Sequence, residues 1–184
     1  MTFNATKTRV LNRGIPPESF LTAIVNWAKN APDSVFEKNP NADIYSSVAS
    51  VLGPYESLLH RKAVMLEVMR VHAGFESSWN WGEGVDKTNK TSMSNPEGEE
   101  TGIFQVSFDS TRLGAGAMKQ YAKEHDIDTP QEFIPAMKKD HELAIDYYAH
   151  LIRVNVKWAG PILRHELHPW LSRAAVKEFM GLLA

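Results

Sequence analysis

The chain has 184 residues, the length of one domain, and is long enough to bury a core without help from metals or disulfides. Hydrophobic residues at 43% and charged residues at 23% exclude a disordered chain, and the absence of cysteine excludes a disulfide scaffold, thiolate metal sites and a cysteine nucleophile. A formal net charge of −2 argues against a general nucleic-acid binder, which needs a basic excess.

Residues 1–14 are polar and aperiodic and read as a loose lead-in to a single domain over 15–184. Met1 to Arg9 has no apolar core of the secretory type, so no leader is expected. No apolar run is long enough to cross a bilayer, so membrane insertion is not expected either. A helix is predicted over 17–30, with Pro17 in its first turn and Phe20, Leu21, Ile24, Val25, Trp27 and Ala28 at helical spacing. A short helical turn at 33–38 and a helix at 43–52 follow, the latter stopped by Gly53-Pro54.

The third helix is predicted from about Glu56 through His72. Between Ala63 and Val71 only Glu67 and Arg70 are polar, the pattern of a helix surrounded on all sides. It runs into Gly74-Phe75-Glu76-Ser77-Ser78-Trp79-Asn80-Trp81. Residues 82–101 are polar apart from Val85 and Met93, and form a loop of a length that is usually functional. Apolar patterning returns at Gly102-Ile103-Phe104-Gln105-Val106-Ser107, with at most a small hairpin inside 82–106. Further helices are predicted at about 109–124, 130–138, 140–155 and 170–183, so the fold class is mainly α. Gly114-Ala115-Gly116-Ala117 reads as a close-packing stretch of helix, and Arg61-Lys62 and Lys138-Lys139 as solvated faces.

Glu76 is the residue in this pattern best suited to chemistry. It ends an apolar helix between aromatic residues, a setting that disfavours the carboxylate, as does the negative end of the helix dipole. A carboxyl kept protonated can donate to a leaving oxygen, as glycosidic cleavage requires. The same spacing also describes a solvated helix-end acid. Phe75, Trp79 and Trp81 have two readings too, as platforms for sugar rings or as core.

Glu76-Ser77-Ser78-Trp79-Asn80 at a helix end, then a polar loop, then Gly102-Ile103-Phe104-Gln105-Val106-Ser107, resembles the lysozyme-like superfamily. The nearest patterns are goose-type lysozymes and soluble lytic transglycosylases. The resemblance covers about residues 56–107, with a looser likeness at Ala144 to Ile152. It implies a lysozyme-like single domain with a long polar loop or small hairpin beside the cleft. It also implies Glu76 as catalytic acid, with Ser77, Trp79, Gly102, Gln105, Ser107 and Tyr147 or Tyr148 lining the substrate site. Gly102 would let the backbone approach the sugar. The chain departs from the pattern at Ser107, where goose-type sequences often carry Asp, and at Ala159-Gly160-Pro161, which keeps only part of a longer transglycosylase motif.

A second carboxylate is required by a hydrolase and not by a transglycosylase. The candidates are Glu83, Asp86, Glu97, Glu99, Glu100 and Asp109, with Asp86 and Glu100 preferred. His165-Glu166-Leu167-His168 lacks a third ligand, so no metal and no cofactor is expected. The implied activity is cleavage of the β-1,4 bond between N-acetylmuramic acid and N-acetylglucosamine. The implied setting is a muramidase effector of type VI secretion, exported without a leader to the periplasm of a target bacterium. A cognate immunity protein would be its inhibitor. A phage endolysin and a non-catalytic glycan-binding protein are the alternatives.

Overall fold

The computed structural model describes residues 1–39, 43–84, 95–155, 157 and 159–184. Among them the chain is mainly helical. The α-helices are α1 (Glu18–Asn30), α2 (Ile44–Leu52), α3 (Leu58–Ser77), α4 (Ala117–Glu124), α5 (Pro130–Lys139), α6 (His141–Val154), α7 (Gly160–Leu163) and α8 (Arg173–Leu183). No strand forms among the described residues. The predicted hairpin reduces to one isolated bridge, Thr101 to Val106.

Side-chain caps set most of the helix starts. Asp43 and Ser46 form a capping box at α2, and Thr129 and Glu132 form another at α5, with Pro130 as the first helical residue. Ser57, Asp140 and Ser172 accept from backbone amides at the starts of α3, α6 and α8. Each such cap contributes about 1 kcal/mol.

α3 is the axis of the fold. Every residue from Ala63 to Gly74 is buried, so the apolar pattern correctly marks a helix enclosed by others. α8 runs against α3 and α1 packs on both, while α2 covers the outer part of α3. α6 packs on α1 and also carries α4 and α5. The polar positions inside α3 are satisfied in pairs. Glu67 and Arg70 form a two-pronged ion pair, with Nε–Oε2 at 2.7 Å and Nη2–Oε1 at 2.8 Å, and both side chains are fully buried. Arg70 also donates to the Thr8 and Trp170 carbonyls, and Glu67 accepts from the Ser172 amide. One buried pair thereby ties both ends of the chain to the central helix.

Three local expectations are corrected. Residues 1–14 are not loose: Phe3, Thr6 and Val10 are buried, and Ala5–Lys7 form a 3₁₀ turn against α8. The Glu178 carboxylate holds that turn by accepting from the amides of Asn4, Ala5 and Thr6. The single helix predicted at 109–124 is broken into two 3₁₀ turns and α4 by positive φ at Gly114, Ala115 and Gly116. Gly114 abuts Val154 so closely that an added Cβ would lie 2.7 Å from Cγ2, so close packing holds there but without helix. Arg61 is no solvated lysine-like charge. It lies over the Tyr45 ring at 3.7 Å and donates to the Phe36 and Glu37 carbonyls.

Candidate functional site

The predicted third helix extends to Ser77, so Glu76 lies in its last turn. Ser78 and Trp79 then both take left-handed backbone angles, with φ of 54° and 62°. This double turn reverses the chain and drives the Trp79 indole back beneath α3. There Nε1 donates to the Arg70 carbonyl at 2.9 Å. Trp79 is only 5% exposed, so it holds the helix end and is not placed to stack on a sugar. Trp81 is half-buried and stacks face to face on His141, with centroids 3.9 Å apart.

Glu76 opens onto a cleft of about 290 Å³ lined by Arg13, Glu76, Ser77, Ser78, Glu83, Gly84 and Gln105. Its side chain keeps 25% of its exposure. The aromatic recess predicted for it is replaced by a polar surround. On its buried side the neighbour is His72, one helical turn earlier. His72 Nε2 lies 2.9 Å from Glu76 Oε1, and the His72 side chain is wholly enclosed. On the far side of the ring, Nδ1 is 2.6 Å from the Tyr148 hydroxyl. Tyr148 stacks on Phe104 at 3.9 Å and 6°, so the second sequence motif fixes the tyrosine. Burial, aided by the charge of Glu76, pushes the Tyr148 hydroxyl well above its ordinary value and keeps it protonated. Arg164 feels the same carboxylate: its guanidinium is held charged chiefly by its bond and ion pair with Glu166, and in part by Glu76.

The two motifs are sewn together at Ser77. Its hydroxyl lies 2.7 Å from the Ile103 carbonyl and 3.2 Å from that of Ala73, and it accepts from the Asn80 amide at 3.1 Å. Glu83 joins them again, its carbonyl accepting from the Gly102 amide at 2.9 Å. Gln105 reaches the cleft with a φ of 47°, and its amide donates to the Gly102 carbonyl.

The other predicted residues are distributed differently. Gly102 is buried with a φ of 72°, and an added Cβ would lie 2.7 Å from the Met137 carbonyl oxygen. The close approach it permits is to α5, where a sugar was expected. Ser107 precedes the 3₁₀ turn Phe108–Arg112, and its carbonyl receives the Ser110 hydroxyl. Tyr147 is buried beside Phe133, with its hydroxyl 2.5 Å from Ser110 Oγ, so it does not reach Glu76. Tyr148 reaches Glu76 through His72. Glu100 is exposed and is not among the described residues that line the cleft. Asp86 lies outside the described residues.

Three cleft features escape the sequence reading. Glu83 is named among the acids but not preferred, Arg13 falls in the segment read as a lead-in, and His72 is passed over. A signal for His72 exists: it stands four residues before Glu76, on the same helix face, in a run otherwise almost apolar. No comparable signal marks Arg13.

A second cavity, about 350 Å³, lies between the end of α1 and the start of α6, with Trp27, Tyr121, His125 and Asp146 in its wall. Asp146 is engaged there by the Trp27 indole N–H and the Tyr121 hydroxyl. Among the described residues no group of three His, Asp or Glu side chains is arranged to hold a metal ion. No helix among them is long and apolar enough to cross a membrane.

Comparison of the chain with protein-family models, with curated proteins and with solved structures finds no match.

Proposed function

We propose that the chain is a glycosidase of lysozyme-like fold that cleaves the β-1,4 bond between N-acetylmuramic acid and N-acetylglucosamine in peptidoglycan, with Glu76 as general acid. The observation that carries this reading is the placement of Glu76. It sits at the open end of a buried helix, one face on an enclosed imidazole and the other on a polar cleft shared with Glu83, Gln105 and Arg13. That arrangement leaves a carboxyl oxygen facing the space where a bridging oxygen would lie. Gln105 supplies an amide for sugar hydroxyls or acetamido groups, and Arg13 a cation for the carboxylates of the wall polymer.

Glu76 donates its proton to the leaving oxygen as the C–O bond breaks, and positive charge grows on the sugar ring. Glu83 is the described carboxylate on the same cleft and takes the role of base for the attacking water. Without such a base, Glu76 itself takes back a proton from a sugar hydroxyl, and the product is an anhydro sugar.

Purified sacculi and mass spectrometry test the reading. The wild-type chain is expected to release muropeptides, and Glu76→Gln to release none while keeping its fold. Hydrated ends together with a Glu83→Gln loss of more than 100-fold identify hydrolysis. Anhydro ends with Glu83→Gln active identify transglycosylation. Sacculi that bind the chain and are not cut identify a glycan-binding protein instead. A fully active Glu76→Gln removes the assignment.

The biological setting proposed with this activity is that of an interbacterial toxin, from the resemblance to type VI muramidase effectors. A toxin of this kind requires a periplasmic immunity protein that blocks the cleft. Co-purification with the product of the neighbouring gene tests it: a tight inhibitory complex supports the toxin, and its absence favours an endolysin.

A further inference from the structure

The cleft before Glu76 is lined by two acids, Glu76 and Glu83, and one cation, Arg13. A second cation stands at its edge. Lys138 reads from the sequence as part of a solvated face, but it is half-buried, and a Cβ built on the cleft residue Gly84 would lie 3.4 Å from Lys138 Nζ. Backbone structure fixes where both cations start. Arg13 belongs to a tight turn, in which the Val10 amide donates to the Gly14 carbonyl at 2.9 Å and the Arg13 amide to the Val10 carbonyl at 3.0 Å. Val10 is fully buried and anchors that turn. Lys138 follows Met137, whose carbonyl abuts Gly102, and the Gly102 amide donates to the Glu83 carbonyl at 2.9 Å. One glycine thus ties the end of α5 to the segment that carries Glu83 and Gly84. Among the described residues neither the Arg13 nor the Lys138 side chain has a hydrogen-bond or ion-pair partner. The acids of the cleft are met by other groups: Glu83 accepts from Asn80 Nδ2 at 2.9 Å, and Glu76 Oε1 lies 2.9 Å from His72 Nε2.

We propose that Arg13 and Lys138 are specificity-determining residues, which select glycan strands whose side peptides carry free carboxylates over strands whose carboxyls are amidated. This rests on the glycosidase reading above and deepens it by naming the charge of the substrate. Two acids in a cleft repel an anionic polymer, whereas a neutral one feels no such penalty. Two cations left unpaired at the same cleft reverse that balance. Cations whose task was to neutralise Glu76 and Glu83 would be paired with them, and these are not. The Arg13 guanidinium offers a planar fork from which a carboxylate can accept twice, and Lys138 offers a point charge. Neither acts on the bond that breaks, so their effect is a preference in kcat/KM between substrates. Arg13 is exposed and Lys138 half-buried, so salt screens that preference.

The test compares two soluble substrates that differ only in charge: uncrosslinked peptidoglycan strands with intact peptides, and the same strands with their peptide carboxyls converted to amides. The wild-type chain is expected to cut the charged strands with about tenfold higher kcat/KM in dilute buffer, and the ratio to fall to about twofold at roughly 0.3 M salt. Arg13→Gln and Lys138→Gln are each expected to lower the ratio about threefold, and the double variant to bring it to about one or below, because the acids are then unopposed. Lys139→Gln, at the exposed next residue of α5, removes the same net charge and is expected to keep the wild-type ratio. A wild-type ratio near one overturns the inference. So does a double variant that keeps the wild-type ratio, or a Lys139→Gln that lowers it as far as Lys138→Gln does. The wild-type ratio and its salt dependence need no variant, so they decide even where a variant fails to fold. A wild-type chain that cuts neither strand sinks the glycosidase reading instead. Calorimetric affinities for the two strands then decide the charge preference: tighter binding of the charged strands, lost in the double variant, supports it, and equal affinities of the wild type overturn it.

Discussion

Gly74 and Trp79 occupy one another's space: a Cβ built on Gly74 would stand 2.7 Å from Cζ2 of the indole. The chain turns through Ser78 and Trp79 and comes back beneath its own helix, so a glycine is needed five positions earlier to admit the ring. The glycine's weak helix propensity is thereby offset by the burial of a tryptophan that secures the turn beside Glu76.

Gly74→Ala sets two effects against each other. Alanine gains about 1 kcal/mol as a helix former. Overpacking against a rigid ring costs about 1–3 kcal/mol, and the ring cannot move without breaking its bond to the Arg70 carbonyl. Overpacking wins, so urea unfolding is expected to show a net loss of up to about 2 kcal/mol. Any loss of sacculus cleavage should exceed that of a control such as Gly181→Ala, where an added Cβ meets nothing within 4 Å.

How much of this was written in the sequence varies with the range of the interactions. α3 was legible because its apolar residues leave no polar face, and α5 because Thr129-Pro130 with Glu132 is a local signal. The place of Glu76 at the end of α3 was legible from the apolar run before it. The role of Trp79 was not, because two consecutive left-handed residues carry no compositional mark in Ser-Trp and reverse the direction of the ring. Gly102 was singled out for the right reason, close backbone approach, but the approaching group is Met137, which lies far along the chain. The packing of residues 1–14 was invisible because it depends on Glu178 and on carbonyls accepting from Arg70, contacts that join the two ends of the chain.

The Glu67–Arg70 pair predicts an asymmetry between single and double substitution. Burial pushes the Glu67 carboxyl above its ordinary range, and the Arg70 guanidinium and the Ser172 amide oppose that push. Arg70→Met removes the opposition and strands an acid in the core, at a cost of about 3–5 kcal/mol. Glu67→Leu with Arg70→Met removes both desolvated groups. It leaves the Thr8 and Trp170 carbonyls and the Ser172 amide to find other partners. The double variant is expected to be more stable than Arg70→Met alone in chemical unfolding. A double variant less stable than the single one would show that the ties to the chain ends outweigh the burial of charge.

Glu178 predicts how the N-terminal segment responds to acid. Burial raises its pKa, but the donors of Thr6 and the amides of Asn4 and Ala5 outweigh burial and hold the carboxyl below its ordinary value near 4.5. A carboxyl depressed in the folded state binds fewer protons there than in the unfolded chain over the interval between the two values. Its contribution to stability is therefore complete above about pH 4.5 and declines as pH falls through the folded value. The group is largely solvated, so the contribution is discounted to about 1 kcal/mol. Glu178→Gln is expected to lower stability by that amount at pH 7 and to narrow the gap to wild type as the pH falls toward 3. Amide hydrogen exchange at Asn4, Ala5 and Thr6 should quicken in the variant at neutral pH. Exchange at those three amides that is the same in Glu178→Gln as in the wild type would show that the segment is held by Phe3 and Val10 in the core, and not by the carboxylate.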